Sequence, residues 1–199
     1  MPTTEVSTRQ KLLNVSRQLM MSKGYNAAKV DDVCKAAEVT KGAFFHYFKS
    51  KEALGVSVLE QYWQQRQHQF AEADWMEHEN PLIQIQGFLM TVAEVFVNDP
   101  DGCSCLAGSF TQELATTSPL FRSQVAQLFD AWTERVKPIL RAAKAQAASA
   151  DEVDIDELAD HVVAVVEGAL ILALARGDRA VITKQLKMLN NTLQRLFAI

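Results

Sequence analysis

The stretch from Asn26 to Leu54, NAAKVDDVCKAAEVTKGAFFHYFKSKEAL, constrains the fold more than any other part of the chain. Asp31 and Asp32 suit the positive end of a helix dipole, so a short helix is predicted over about Val30–Ala37. Thr40 can cap the next helix, Lys41–Phe48, and Ser50 can cap a fourth that runs through Leu54, Val58 and Tyr62. Two short helices joined by a tight turn form a unit that can place its second helix in a DNA major groove.

On a wheel of ~100° per residue, Phe44, Tyr47 and Phe48 share one face of that second helix, while Gly42, Ala43, Phe45 and His46 point away. Phe44 and Phe48 can anchor it. The opposite face offers small residues that allow close backbone approach, and one imidazole that can reach base edges. Lys41 at the helix start, with Lys49 and Lys51 beyond its end, can meet phosphates at the groove rim.

The charge pattern agrees. From Met1 to Glu52 the chain carries nine Lys/Arg against five acids, whereas the remainder carries 11 against 19, giving −4 overall. An acidic chain with one compact basic end fits a surface that faces a polyanion.

Helical periodicity recurs from end to end and strand signals are nearly absent, so an all-α fold of about nine helices is expected. Ser7-x-x-Gln10 has capping-box form and opens a first helix that Gly24 closes in a left-handed conformation. Pro81 opens an apolar helix and a shorter one follows around Leu106–Ala115. A long helix begins at Pro119, and Pro138 should kink or break it. The last two helices, about Ile155–Arg176 and Arg179–Phe197, flank Gly177-Asp178.

Three cysteines without framework spacing suit a reducing, cytoplasmic setting, and the four scattered histidines match no zinc spacing, so no metal or other cofactor is implied. The longest apolar run, His161–Ala175, is interrupted by Glu167 and falls short of the ~20 residues of a membrane span. No paired carboxylates, nucleophile–base grouping or phosphate loop stands at recognisable spacing, which argues against an enzyme.

Gly24-Tyr25, followed by Val33-x-x-Ala36-Ala37-x-Val39-x-Lys41-Gly42-x-Phe44-x-x-Tyr47-Phe48-x-x-Lys51-Glu52-x-Leu54, resembles the TetR/AcrR family of transcriptional regulators. The resemblance implies a helix-turn-helix domain over residues 6–66, with the motif at about 29–48, and an effector-binding and dimerisation domain over 67–199. It further implies a homodimeric one-component regulator, usually a repressor, that binds a near-palindromic operator and releases it when a small effector binds.

The family's DNA-contacting positions fall on Lys29, Val30, Thr40, Lys41, Gly42, Ala43, Phe45, His46, Tyr47 and Lys51. Three departures stand out. Phe45 occupies a place often held by tyrosine. Ala28 and Lys29 stand where a threonine or serine commonly reaches phosphate. Asp31 occupies a basic or polar place, where a carboxylate would be repelled unless it accepts from a cytosine amino group.

In the C-terminal part the penultimate helix is apolar almost all round, with small residues (Ala164, Gly168, Ala169, Ala173) among Val and Leu, and the final helix carries a Leu186–Leu189–Leu193–Leu196 stripe. A two-fold interface built from the last two helices of each protomer fits this pattern. Trp63, Phe88, Phe96, Phe110 and Trp132 are candidate effector-lining residues, with Gln112 or Glu113 as polar anchors; ordinary core packing is the competing reading for each aromatic. Cys103-Ser104-Cys105-Leu106 resembles a turn opening the sixth helix in one family branch that includes electrophile sensors. A thiol at a helix N-terminus favours thiolate, so Cys105, with Cys103 beside it, is a candidate redox site.

Overall fold

The computed structural model describes residues 7–71, 74–100, 104–147 and 152–197. Among them lie nine α-helices and no strand: α1 (Thr8–Lys23), α2 (Val30–Ala36), α3 (Lys41–Tyr47), α4 (Lys51–Ala71), α5 (Pro81–Val97), α6 (Leu106–Leu114), α7 (Pro119–Gln146), α8 (Ile155–Arg176) and α9 (Ala180–Leu196). A 3₁₀ turn, Asp74–Glu77, precedes α5.

The helix ends follow local chemistry. Ser7, Thr40, Asn80 and Asp154 each accept a backbone amide of the first turn that follows. The Ser50 hydroxyl does the same for α4, accepting from the Ala53 amide at 3.0 Å. Gly24 closes α1 at φ 85°, ψ 159°, so it is extended and positive in φ rather than left-handed helical. Glycine is needed there twice over, since φ is positive and a Cβ would sit 2.7 Å from a Glu113 carboxylate oxygen. The left-handed cap appears instead at Gly177, φ 62°, between α8 and α9.

Pro138 does not break α7, which stays helical from Pro119 to Gln146. Val136, Leu140 and Ala143 are buried on one face around it, and that packing offsets the missing amide.

The chain forms two compact units. The first comprises residues 1–65 and 106–125, and the second 66–105 and 126–199, so α6 and the start of α7 join the N-terminal helices. In the first unit Leu12, Leu13, Met20, Val33, Phe44, Phe48, Leu54 and Val58 form a core for α1–α4. In the second, α9 packs on both α5 and α8 through Val181, Ile182, Leu186, Leu189 and Leu193. Trp75 of the 3₁₀ turn packs so close to Gly87 that no Cβ would fit there, and its indole donates to Thr91 Oγ1. Arg66 and Asp99 form a buried ion pair, and Arg179 donates to the carbonyls of Val97 and Asp99.

α8 itself, at 22 residues, is long and apolar enough to cross a membrane by length and composition alone, although the run His161–Ala175 within it is not. Ala159, Val162, Val166, Ala169, Leu170 and Ala173 bury one side of it in the second unit.

Candidate nucleic-acid interface

The turn between α2 and α3 is a Schellman motif: the Val39 amide donates to the Cys34 carbonyl, and the Glu38 amide to that of Lys35. Glu38 holds the positive-φ position at 56°, where glycine would be unstrained. The motif reverses the chain within three residues. The Thr40 hydroxyl then accepts the Ala43 amide at 3.1 Å and starts α3.

On α3 only Phe44 is buried, and Phe48 follows it into the core. Thr40, Lys41, Gly42, Phe45 and His46 are exposed and Ala43 is half-buried. Tyr47, placed on the anchoring face by the helical wheel, is 42% exposed beside His46, the two rings 4.9 Å apart. Phe44 and Phe48 together fill the space against the first helices, and the phenol turns outward. Phe45 is 50% exposed, its ring edge-on to Phe44. Two aromatic rings and an imidazole therefore protrude from one short helix. Lys29 stands exposed at the start of α2 and Val30 is half-buried next to it.

The lysines have local partners. Lys23 pairs with Asp32 at 2.6 Å, holding that carboxyl below the usual carboxylate range, and Asp32 also accepts the Lys29 amide. Lys41 pairs with Asp31 at 2.7 Å across the starts of α3 and α2, and this hydrogen bond raises the lysine pKa. Lys51 does not simply project to solvent: its ammonium donates to the Asn26 carbonyl at 3.2 Å and lies 4.3 Å from the centre of the Tyr25 ring. Burial there pushes its pKa down.

That ring is the hub of the first unit. Tyr25 meets Phe110 and Phe121 edge-on at 5.4 and 5.2 Å, and burial followed by the Glu52 charge pushes its phenol up to about 12. Glu113 of α6 accepts the amides of Tyr25 and Asn26 at 2.9 and 3.0 Å. Ser118 donates to Glu52 at the start of α4. No local sequence pattern points to these contacts, because they join residues 66 to 96 positions apart.

The candidate effector residues do not gather in one place. Phe88, Phe96 and Trp132 lie in one buried cluster of the second unit with Phe70 between them. Trp63, Phe110, Gln112 and Glu113 belong to the first unit. Gln112 is exposed, and Glu113 is committed to the Tyr25 and Asn26 amides, so its role is to hold the turn. A cavity of about 350 Å³ opens between α5 and α9, with Leu89, Ala93 and Leu186 at its base and Gln86, Lys187 and Asn190 among its polar rim.

Cys105 stands immediately before α6 and is buried; its thiol hydrogen-bonds the Glu167 carboxyl of α8. Cys103 lies outside the described residues.

An exposed short helix carrying polar and aromatic side chains, held by a Schellman turn in a lysine-rich unit, defines a helix-turn-helix DNA-binding protein. Residues 12–58 match the family model of bacterial regulatory proteins of the tetR family, and residues 81–187 match the C-terminal domain described as transcriptional regulator LmrA/YxaF-like. The chain belongs to the TetR family of transcriptional regulators. It is 28% identical over 163 residues to the HTH-type transcriptional repressor DhaR of Mycobacterium sp. strain GP1, spanning 82% of this chain and 80% of that one. It is 31% identical over 120 residues to the HTH-type transcriptional repressor NemR of Escherichia coli K12, 60% of each chain. Among solved structures, a TetR regulatory protein from Rhodobacter sphaeroides superposes with a TM-score of 0.81 at 25% identity, covering 95% of this chain and 98% of that one. The reduced form of E. coli NemR gives 0.76 at 24% identity, covering 93% and 96%.

The buried Glu167 carboxyl links pH to stability. Burial raises its pKa from 4.5 to about 7, so the folded protein prefers the protonated acid. That preference stabilises the fold fully below the unfolded-state value and is lost as pH rises through about 7. Glu167→Gln is therefore expected to exceed the wild type at pH 8 by up to about 3 kcal/mol in urea unfolding, and to match it near pH 4. A wild-type advantage at pH 8 would contradict this.

Proposed function

We propose that this protein is a cytoplasmic homodimeric repressor that grips a near-palindromic operator with two copies of α3 and lets go when a small molecule binds the second unit. One observation carries the reading. Phe44 and Phe48 bury the inner side of α3 while Lys41, Gly42, Ala43, Phe45, His46 and Tyr47 remain available on the outer side. His46 would read base edges, the small residues would admit close approach, and the aromatic rings would pack on sugar or base methyl groups. Lys29, Val30 and Thr40 would meet the phosphate backbone beside the starts of α2 and α3, and Lys51 would approach it at the start of α4.

Dimerisation would use the unburied faces of the last two helices. Ile171, Leu174 and Met188 are 51%, 64% and 65% exposed, and a Cβ added at Gly168 would meet nothing within 4 Å. Apolar surface of that extent on neighbouring helices suits an isologous four-helix contact. Ile171→Glu is expected to convert the dimer to monomer in sedimentation velocity at micromolar concentration; an unchanged sedimentation coefficient would place the interface elsewhere.

The effector would shift the population of the second unit, and α4 and α7, which run from one unit into the other, would carry the change. The α5–α9 cavity falls in the size range of small-ligand sites. The buried cluster of Phe88, Phe96 and Trp132 is the aromatic surface available in the same unit.

Selection of bound fragments from a random duplex pool, with binding followed against salt concentration, tests the DNA reading. Affinity is expected to fall linearly on a log–log salt plot, as phosphate contacts release counterions. His46→Ala should change which duplexes are selected, costing about 1–3 kcal/mol at each affected base pair. An unaltered selection would show that the reading face is misassigned.

A second reading makes Cys105 an electrophile or oxidant sensor on the same scaffold. Its position one residue before α6 and the similarity to NemR favour it; its burial beneath the surface and its bond to Glu167 weigh against ready attack. Treatment with N-ethylmaleimide should release the duplex from the wild type but not from Cys105→Ser if the thiol is the sensor. Equal retention by both proteins would remove this reading.

A further inference from the structure

Asp31 sits where a carboxylate is costly. It is the second residue of α2, its side chain is 66% exposed, and its partner Lys41 opens α3 with 63% exposure. The pair thus bridges the starts of the two helices that bear the proposed phosphate contacts, within the part of the chain that must approach a polyanion. An exposed pair of this kind contributes little to folding, so it is weak enough to be exchanged when a phosphate competes for the ammonium. Exchange frees Lys41 but leaves Asp31 facing DNA. Its neighbours offer no other release: Asp32 is taken by Lys23, and Lys29 lies before it on the same turn with its amide bound to Asp32.

We infer that Asp31 is a specificity-determining residue, which penalises DNA in general and is relieved only where a cytosine amino group stands opposite it in the major groove. The inference rests on the DNA-binding reading above and deepens it. A carboxylate is an acceptor only; of the two major-groove amino donors, adenine N6 stands beside the N7 acceptor, which repels a carboxylate, whereas cytosine N4 has no acceptor on its own base edge, so cytosine is the match. On a duplex without that donor, the carboxylate loses the Lys41 hydrogen bond, gains none, and stands near phosphate charge. On the matching duplex it exchanges one hydrogen bond for another while Lys41 moves to the backbone. The same side chain therefore lowers affinity for most sequences and spares one. This is discrimination by an introduced penalty as well as by a contact.

The test uses the full chain. A duplex selected from a random pool by the wild type is compared with a scrambled duplex of the same composition, by fluorescence anisotropy at fixed salt. Asp31→Asn is expected to tighten binding to the scrambled duplex by at least about fivefold more than to the selected one, the fold-change of a single base contact. A fresh selection with Asp31→Asn is expected to lose a cytosine preference that the wild type shows at one position in each half-site. Equal tightening on both duplexes, or an unaltered base preference, overturns the inference and leaves Asp31 as a bulk charge only. Lys41→Met, alone and combined with Asp31→Asn, separates direct from indirect action. If Asp31 faces DNA itself, its substitution still favours the scrambled duplex in the Met background; if the effect vanishes there, Asp31 acts only by masking Lys41 and the inference fails. Thermal melting of each variant verifies folding. Absence of wild-type binding to every duplex in dilute buffer instead removes the DNA-binding reading and this inference with it.

Discussion

The two amides that Glu113 accepts, from Tyr25 and Asn26, hold the first unit in the form that presents α3. Remove that carboxylate and the α1–α2 turn has two peptide donors to satisfy elsewhere. The turn cannot be rebuilt with ordinary residues, because Gly24 must be positive in φ and must leave room for the Glu113 oxygens. The same turn supplies the Asn26 carbonyl that receives Lys51, and the Tyr25 ring on which that ammonium rests. Gly55 completes the fit, since any Cβ there would strike Tyr25 and Phe121. One acidic residue of α6 thus fixes a glycine, an aromatic ring and a lysine beside α2 and the start of α4.

This arrangement explains why the first unit takes in residues 106–125 although the helix-turn-helix residues end far earlier in the chain. A three-helix head of about 50 residues has little core of its own. Phe110, Leu114 and Phe121 supply buried apolar surface that the head alone lacks. The consequence for regulation is direct: whatever displaces α6 must also disturb the hydrogen bonds to Tyr25 and Asn26, and with them the start of α2. Coupling between effector and operator, in the proposed mechanism, needs no separate device.

Local chemistry was legible in the sequence and distant pairing was not. Ser7, Thr40 and Ser50 announce helix starts because a cap acts on an amide two or three residues away. Phe44 and Phe48 announce an inner face through their spacing alone. Tyr47 was misread because a wheel gives directions but not the volume available, and two phenylalanines already fill that volume. Glu38 gave no turn signal, since the positive-φ residue is neither glycine nor asparagine. Glu113 looked like a pocket anchor because a carboxylate among aromatics suggests one, and only the fold shows that its partners lie 87 and 88 residues back. Pro138 is the converse: a strong local signal overruled by burial on both sides of it.

The basic head is less free with its charge than a count of lysines suggests. Lys23 is engaged by Asp32, Lys41 by Asp31, and Lys51 by a carbonyl and a ring. Every one of these partners competes with phosphate, so part of the attraction to DNA is spent on breaking contacts inside the unit. Weakly held pairs such as Lys41–Asp31 exchange readily, whereas Lys51, half-buried against Tyr25, does not leave without exposing apolar surface. The head therefore divides its cations into mobile ones, which follow the ionic strength, and fixed ones, which shape the unit. In the proposed reading the discriminating share of the affinity falls to the face of α3, where the Phe45 ring lies edge-on to Phe44, His46 lies beside Tyr47, and all three outer rings stay exposed.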